Sequence, residues 1–182
     1  LEELDVISQS DLVRLLDGMT SSSLLALVRF EGANRLLDSD CCIGAALKAA
    51  VMALPENAAA AFHSDGQFWI YVPCFDGKPE NFAADIRRAA EECQLPDEFG
   101  VRSLARHSMT VTAGISSGFE VPAKLMHAAG FALYEAKAKG AGSTCCFTPE
   151  KYAKQKSDIE NVRAFSEFLD KNLFTYHFQP IV

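Results

Sequence analysis

The chain has 182 residues, with 17 Lys+Arg against 24 Asp+Glu for a net charge of −7, and 49% of its residues are hydrophobic. That balance places it among globular chains and away from disordered or collagen-like ones. A chain of this size buries roughly 70% of the surface its unfolded form exposes, so a core can form without disulfide staples or a structural metal. The acidic balance, with no Lys/Arg run along any predicted face, argues against nucleic acid as a partner. No window approaches the ~20 apolar residues that span a bilayer. The best run, Leu24 to Val28, is followed by Arg29, and no membrane contact by this segment is expected. The opening Leu-Glu-Glu-Leu-Asp-Val carries neither an initiator Met nor a secretory pattern, so the chain reads as an excised piece of a longer protein.

Residues 3 to about 18 place Leu4, Ile7, Leu12, Leu15 and Leu16 at roughly helical spacing, with Gly18 as a stop. Leu24 to Phe30 suits a buried strand, and the Ala-rich stretch 43 to 54, with Leu47, Val51 and Leu54 on one face, suits a helix. Asp65-Gly66 lies between two apolar stretches and has the chemistry of a tight hairpin turn. Pro79 opens a helix striped by Phe82, Ile86, Ala89, Ala90 and Cys93, which ends at Gln94-Leu95-Pro96-Asp97. Met109 to Gly118 is β-rich, Pro122 starts a further helix, and Gly140-Ala-Gly142 breaks it before a strand at Thr144 to Phe147. A charged helix is expected from Pro149 to about Asp170. Helices and strands alternate, but one strand pair is a tight hairpin, so the sheet should be mixed. The six cysteines, at 41, 42, 74, 93, 145 and 146, have no zinc spacing. They read as buried, reduced thiols in a cytoplasmic protein.

The order of elements and several short motifs together resemble the GGDEF (diguanylate cyclase) domain over roughly residues 20 to 150. Phe30 with Asn34 resembles the family's strand-end F-x-x-x-N. Ile43-Gly44 followed by Ala-Ala-Leu47 is similar to its G-D-x-L-L helix start, and Ser64-Asp-Gly-Gln-Phe68 occupies the signature hairpin. Thr110-Val-Thr-Ala-Gly-Ile115 resembles the V-S-x-G-I strand, and Ala128-Ala-Gly-Phe-Ala-Leu-Tyr-Glu-Ala-Lys137 resembles A-D-x-A-L-Y-x-A-K. The tail Tyr176-His-Phe-Gln-Pro-Ile-Val182 resembles the first strand of EAL phosphodiesterase domains. The resemblance implies an α+β fold of the nucleotide-cyclase palm type, with a central, mostly antiparallel mixed sheet flanked by helices. It also implies a layout of a lead-in helix at 1–20, a GGDEF-like domain at 21–148, a linker helix at 149–172 and the start of an EAL domain at 173–182.

The family joins two GTP molecules into cyclic di-GMP, one GTP on each of two facing domains. Magnesium is a hard cation that wants carboxylate oxygens beside the attacked phosphate. At the family's two metal positions this sequence has Ala26 and Gly66. The fourth signature position, a Glu in active members, is Gln67, which has no carboxylate to accept a proton. The signature glycines are replaced by Ser64 and Asp65, which put side chains and a negative charge where a triphosphate would lie. Asn34 fits the guanine-contacting Asn, but its partner carboxylate position is Ala45. Lys137 fits a phosphate-contacting Lys, but the Arg four residues on is Ala141. The inhibitory R-x-x-D is replaced by Pro55-Glu-Asn-Ala58, so no product inhibition through that motif is expected.

Each singled-out residue also has a plainer reading. Asn34 suits a turn at a strand end, Lys137 a helix C-terminus, and Phe68, Trp69 and Tyr71 a packed sheet face. His63, Ser64 and Asp65 are consecutive, and neighbours in a strand point to alternate faces, which rules out a relay. The expectation is therefore a degenerate, non-catalytic domain with no catalytic or metal residues, whose retained nucleotide contacts are limited to Asn34 and Lys137. It would act as a regulatory and dimerisation module for an adjacent EAL domain, in a cytoplasmic setting or below an upstream membrane anchor. No cofactor is expected, and Mg²⁺ and GTP enter only with residual nucleotide binding. The alternatives are a GTP sensor that does not turn its ligand over and tunes the EAL domain, and a residual cyclase or other nucleotide enzyme. That last reading would need a carboxylate from an unexpected place, such as Asp38 or Asp40.

Overall fold

The computed structural model describes residues 6–32, 40–64, 66–93, 109–154, 156–157 and 160–161. The chain divides into two compact units, Leu1–Phe147 and Thr148–Val182. In the first unit, α1 (Gln9–Leu16) is followed by β1 (Leu24–Gly32), α2 (Asp40–Met52), β2 (Ala59–Ser64), β3 (Gln67–Val72) and α3 (Pro79–Glu92). Then come β4 (Met109–Ser117), α4 (Pro122–Lys139) and β5 (Thr144–Cys146). The strands form one sheet in the order β2-β3-β1-β4-β5. β1 is antiparallel to both β3 and β4, β2 is antiparallel to β3, and β5 alone runs parallel to its neighbour β4. This is the mixed, mostly antiparallel α+β sheet that the tight hairpin called for. Within the second unit, residues 149–154, 156–157 and 160–161 are helical.

β1 sits at the centre of the sheet and is covered on both faces, which explains why Leu24 to Val28 is an unbroken apolar run with no polar alternation. Its even-numbered side chains, Leu24, Ala26, Val28 and Phe30, point into a core shared with Ile43, Leu47, Phe82 and Ile86 of α2 and α3. Its odd-numbered Leu25 and Leu27 pack with Leu12 and Leu16 of α1, Trp69 and Tyr71 of β3, and Leu125, Ala129 and Leu133 of α4. Two buried hydroxyls find carbonyl partners, whereas the indole N–H of Trp69 is buried without one among the described residues. Ser116 Oγ donates to the carbonyl of Leu125 at 2.7 Å, and Ser23 Oγ donates to that of Pro73 at 2.8 Å.

At Gly114, α4 lies directly against the sheet. A Cβ built there would collide with the backbone nitrogen of Leu133 and the carbonyl oxygen of Ala129. The glycine in Thr110–Ile115 is thus a packing requirement: only a residue without a side chain lets the helix backbone lie this near the strand.

Several boundaries differ from expectation. The predicted helix over 3–18 is shorter. Ser8 is its N-cap, with Oγ accepting from the amide of Asp11 at 3.1 Å. Ile7 lies outside the helix and forms a parallel bridge to Ala61 on β2, donating its amide to Ala60 O at 2.9 Å. α1 packs on the sheet's second face, with Leu12 and Leu16 fully buried. The helix expected at 43–54 begins at Asp40 and ends at Met52, so Gly44 is a mid-helix residue and not part of its start. The last strand stops at Cys146. The cysteines are not uniformly buried: Cys42 and Cys145 are, whereas Cys41 and Cys74 are exposed. Residues 1–5, the helix end at 94–97, the charged helix beyond 161 and the tail at 173–182 lie outside the described residues.

Candidate functional site

The candidate site is the β2–β3 hairpin with the strand and helices around it. Ser64 pairs with Gln67 across the turn, and the register shifts between Phe62 and Ser64. Gly66 takes φ +65°, the left-handed conformation that its lack of Cβ permits. Its carbonyl accepts from the amide of Phe30 at 2.9 Å, which ties the turn to β1. A Cβ on Gly66 would stand 3.1 Å from the carbonyl oxygen of Phe30 and 3.9 Å from Ile43 Cδ1 of α2. A side chain here would therefore be strained at the backbone and tight against β1, with α2 at ordinary contact distance.

Ala26 lies opposite Ile70 of β3 and Ile115 of β4 and is 0% exposed. Its methyl belongs to the apolar core beneath α2 and α3. The two positions at which the resemblance puts metal carboxylates are thus a buried alanine and a crowded, left-handed glycine. Neither supplies an oxygen ligand from its side chain, and no group of three or more His, Cys, Asp or Glu able to hold a metal occurs among the described residues. The residues present do not fit a magnesium ion.

Gln67 is the polar centre of the hairpin. Its Nε2 donates to Ser64 Oγ at 2.8 Å, and its Oε1 accepts from Lys137 Nζ at 3.4 Å. Lys137 reaches it from the last turn of α4. Of the expected site residues, the fold brings Ser64, Gly66, Gln67, Phe68 and Lys137 together, while Asn34, Asp38 and Asp65 lie outside the described residues. Phe68 is an aromatic anchor: its ring meets Phe30 edge-on at 6.1 Å and Phe62 at 5.9 Å. Trp69 and Tyr71 are buried, as a packed sheet face requires. His63 has its ring 5.1 Å from that of Trp69.

The other nucleotide positions have structural occupations. Ala45 is half-buried inside α2, and Asp40 is exposed in that helix's first turn. Ala141 is exposed in a turn whose neighbours Gly140 and Gly142 both have positive φ, and the amide of Gly142 donates to Thr112 Oγ1 at 3.0 Å. Pro55 to Ala58 forms a turn closed by a 2.9 Å bond from Ala58 N to Pro55 O. Two groups went unnoticed in the sequence. Arg29 and Glu31 form a 2.6 Å ion pair on the α4 side of β1, and Arg29 lies opposite Gln67 in the β1–β3 register. Opposite charges two apart on a strand share a face, and that spacing was the available signal. Ile43 gave none, because its approach to Gly66 depends on tertiary packing.

Two titratable groups are displaced near these elements. Burial, reinforced by neighbouring Cys42, pushes the Cys93 thiol up. A hydrogen bond to Cys145 is the main cause that holds the exposed Lys139 ammonium above its ordinary range.

No protein-family profile and no curated protein sequence matches the chain. Solved structures do. The GGDEF domain of YfiN (TpbB) from Pseudomonas aeruginosa is similar at TM-score 0.66 and 15% identity, over 86% of this chain and 98% of that one. A diguanylate cyclase/phosphodiesterase from Caldicellulosiruptor saccharolyticus is similar at 0.60 and 17%, over 82% and 93%. An EAL/GGDEF domain protein from M. capsulatus is similar at 0.57 and 19%, over 76% and 94%. At these identities the likeness is one of fold.

Proposed function

We propose, on the premise that this chain has the GGDEF-domain fold, that it is a non-catalytic member of that architecture. In this reading it serves as a regulatory and dimerisation module in cyclic di-GMP signalling and acts on an adjacent EAL phosphodiesterase-type domain. The observation that carries the proposal is the pair Ala26 and Gly66, one sealed in the core and the other held at positive φ against Phe30 O. A phosphoryl transfer that develops charge on the attacked phosphate and the departing pyrophosphate needs cations placed there. These positions offer none a ligand. Gln67 is already hydrogen-bonded within the hairpin and has no carboxylate to take the attacking hydroxyl's proton. Loss of several such groups removes many tenfold factors of about 1.4 kcal/mol each.

What the fold keeps supports a scaffold role. Both hydrophobic faces of the sheet are filled, and β5 leads directly to Thr148, the first residue of the second unit. The EAL partner is supported by the tail Tyr176 to Val182 and by the presence of an EAL/GGDEF domain protein among the similar structures. Among the described residues, no helix is long and apolar enough to cross a membrane.

Incubation of the chain with GTP and Mg²⁺ should yield no cyclic di-GMP by chromatography. In a protein that carries this segment and the EAL domain together, substitutions in the segment should alter phosphodiesterase turnover. Formation of cyclic di-GMP would overturn the non-catalytic reading, and unchanged turnover would overturn the regulatory one.

A further inference from the structure

The hairpin and α4 are joined by a short run of side-chain hydrogen bonds. Lys137 Nζ donates to Gln67 Oε1 at 3.4 Å, and Gln67 Nε2 donates to Ser64 Oγ at 2.8 Å. A carboxamide suits this middle place because it accepts from an ammonium with one end and donates to a hydroxyl with the other. The backbone beneath is fixed as well, since the amide of Phe30 donates to Gly66 O at 2.9 Å and Gly66 holds φ +65°. The turn is therefore gripped by β1 through its backbone and by α4 through the Gln67 side chain. β1 and α4 pack on each other in the core through Leu25, Leu27, Leu125 and Leu133, so both grips belong to one rigid frame.

We infer that Gln67 is a latch. Its side chain bridges the hairpin and α4 and couples the two, so that the hairpin is held in one position by the protein's own amide. Lys137, an exposed cation on α4, gives one of its three ammonium donors to Gln67. The latch concerns this link alone and stands or falls separately from any action on a neighbouring domain.

The test is amide hydrogen exchange by NMR on the whole chain, with the Phe30 amide as reporter because it is bonded to Gly66 O. Gln67→Met and Lys137→Met should each speed exchange at Phe30 by roughly fivefold, the size expected for one partly exposed hydrogen bond. The double variant should be no faster than Gln67→Met, which already removes the Lys137 bond together with the one to Ser64. Lys137→Arg, which keeps a donor, should stay near the parent rate, and Val111 in β4 should exchange at the parent rate throughout. An unchanged Phe30 amide in Lys137→Met, additive effects in the double variant, or acceleration shared by Val111 would overturn the latch.

Discussion

Ala26 and Gly66 show how much a single position can decide. An Asp at 26 would be placed between Ile70 and Ile115 with no water and no partner among the core side chains. A buried carboxylate in such a setting either ionises at large cost or stays protonated, and it destabilises in both cases. Ala26→Asp is expected to lower stability by about 3 kcal/mol, read as a lower urea midpoint, without producing cyclase activity. Gly66→Glu should likewise fail to restore activity, because its side chain meets Phe30 O and its backbone prefers negative φ. The cysteines sort by environment. Burial raises the pKa of Cys93, which keeps it a thiol at pH values where an ordinary thiol begins to ionise, and only the thiolate is alkylated. Iodoacetamide near pH 8 should therefore modify the exposed Cys41 and Cys74 first and Cys93 more slowly. Cys42 and Cys145 should react only on unfolding, as mass mapping of labelled peptides would show. With Cys93 raised, the native state holds the proton longer than the unfolded chain, so this group's stabilising contribution falls as pH rises above the ordinary thiol pKa.

At the scale of elements, α1 and α4 show what periodicity reveals and what it hides. Leu12 and Leu16 were readable as one helical face and are fully buried. Ile7 fits the same periodicity yet belongs to the sheet, because Ser8 caps the helix after it and its own amide finds Ala60 O. The hairpin was legible because Asp65-Gly66 supplies turn chemistry that few alternatives accept. The start of α2 was not: a Gly44 set by analogy to a motif proved to be a mid-helix residue, and the helix begins at Asp40. Gly114 became intelligible only with the helix in place. Gly114→Ala is expected to destabilise by about 3 kcal/mol through overpacking against Leu133 and Ala129, visible as a fall in melting temperature. Leu12→Ala should be destabilising by a similar amount, about 3 kcal/mol. Were α1 not packed on the sheet, that change would leave the melting temperature unmoved.

The whole molecule pairs a packed apolar core with a hairpin whose polar centre is an amide, Gln67, bonded to Ser64 and Lys137. Both faces of the five-stranded sheet are packed with apolar side chains, while Gly66 and Gln67 stand at the hairpin positions where the resemblance puts carboxylates. The sequence conveyed the losses residue by residue, since a missing carboxylate is visible without a structure. It did not convey what surrounds Gly66 and Gln67, because the approach of Phe30 O to Gly66 and the Lys137–Gln67 contact arise from elements far apart in the chain. The most direct test of this account is a calorimetric titration of the chain with GTP and Mg²⁺, with Lys137→Ala as the control. The account predicts no binding heat in either protein. Micromolar binding that disappears in Lys137→Ala would contradict it and identify the segment as a nucleotide sensor.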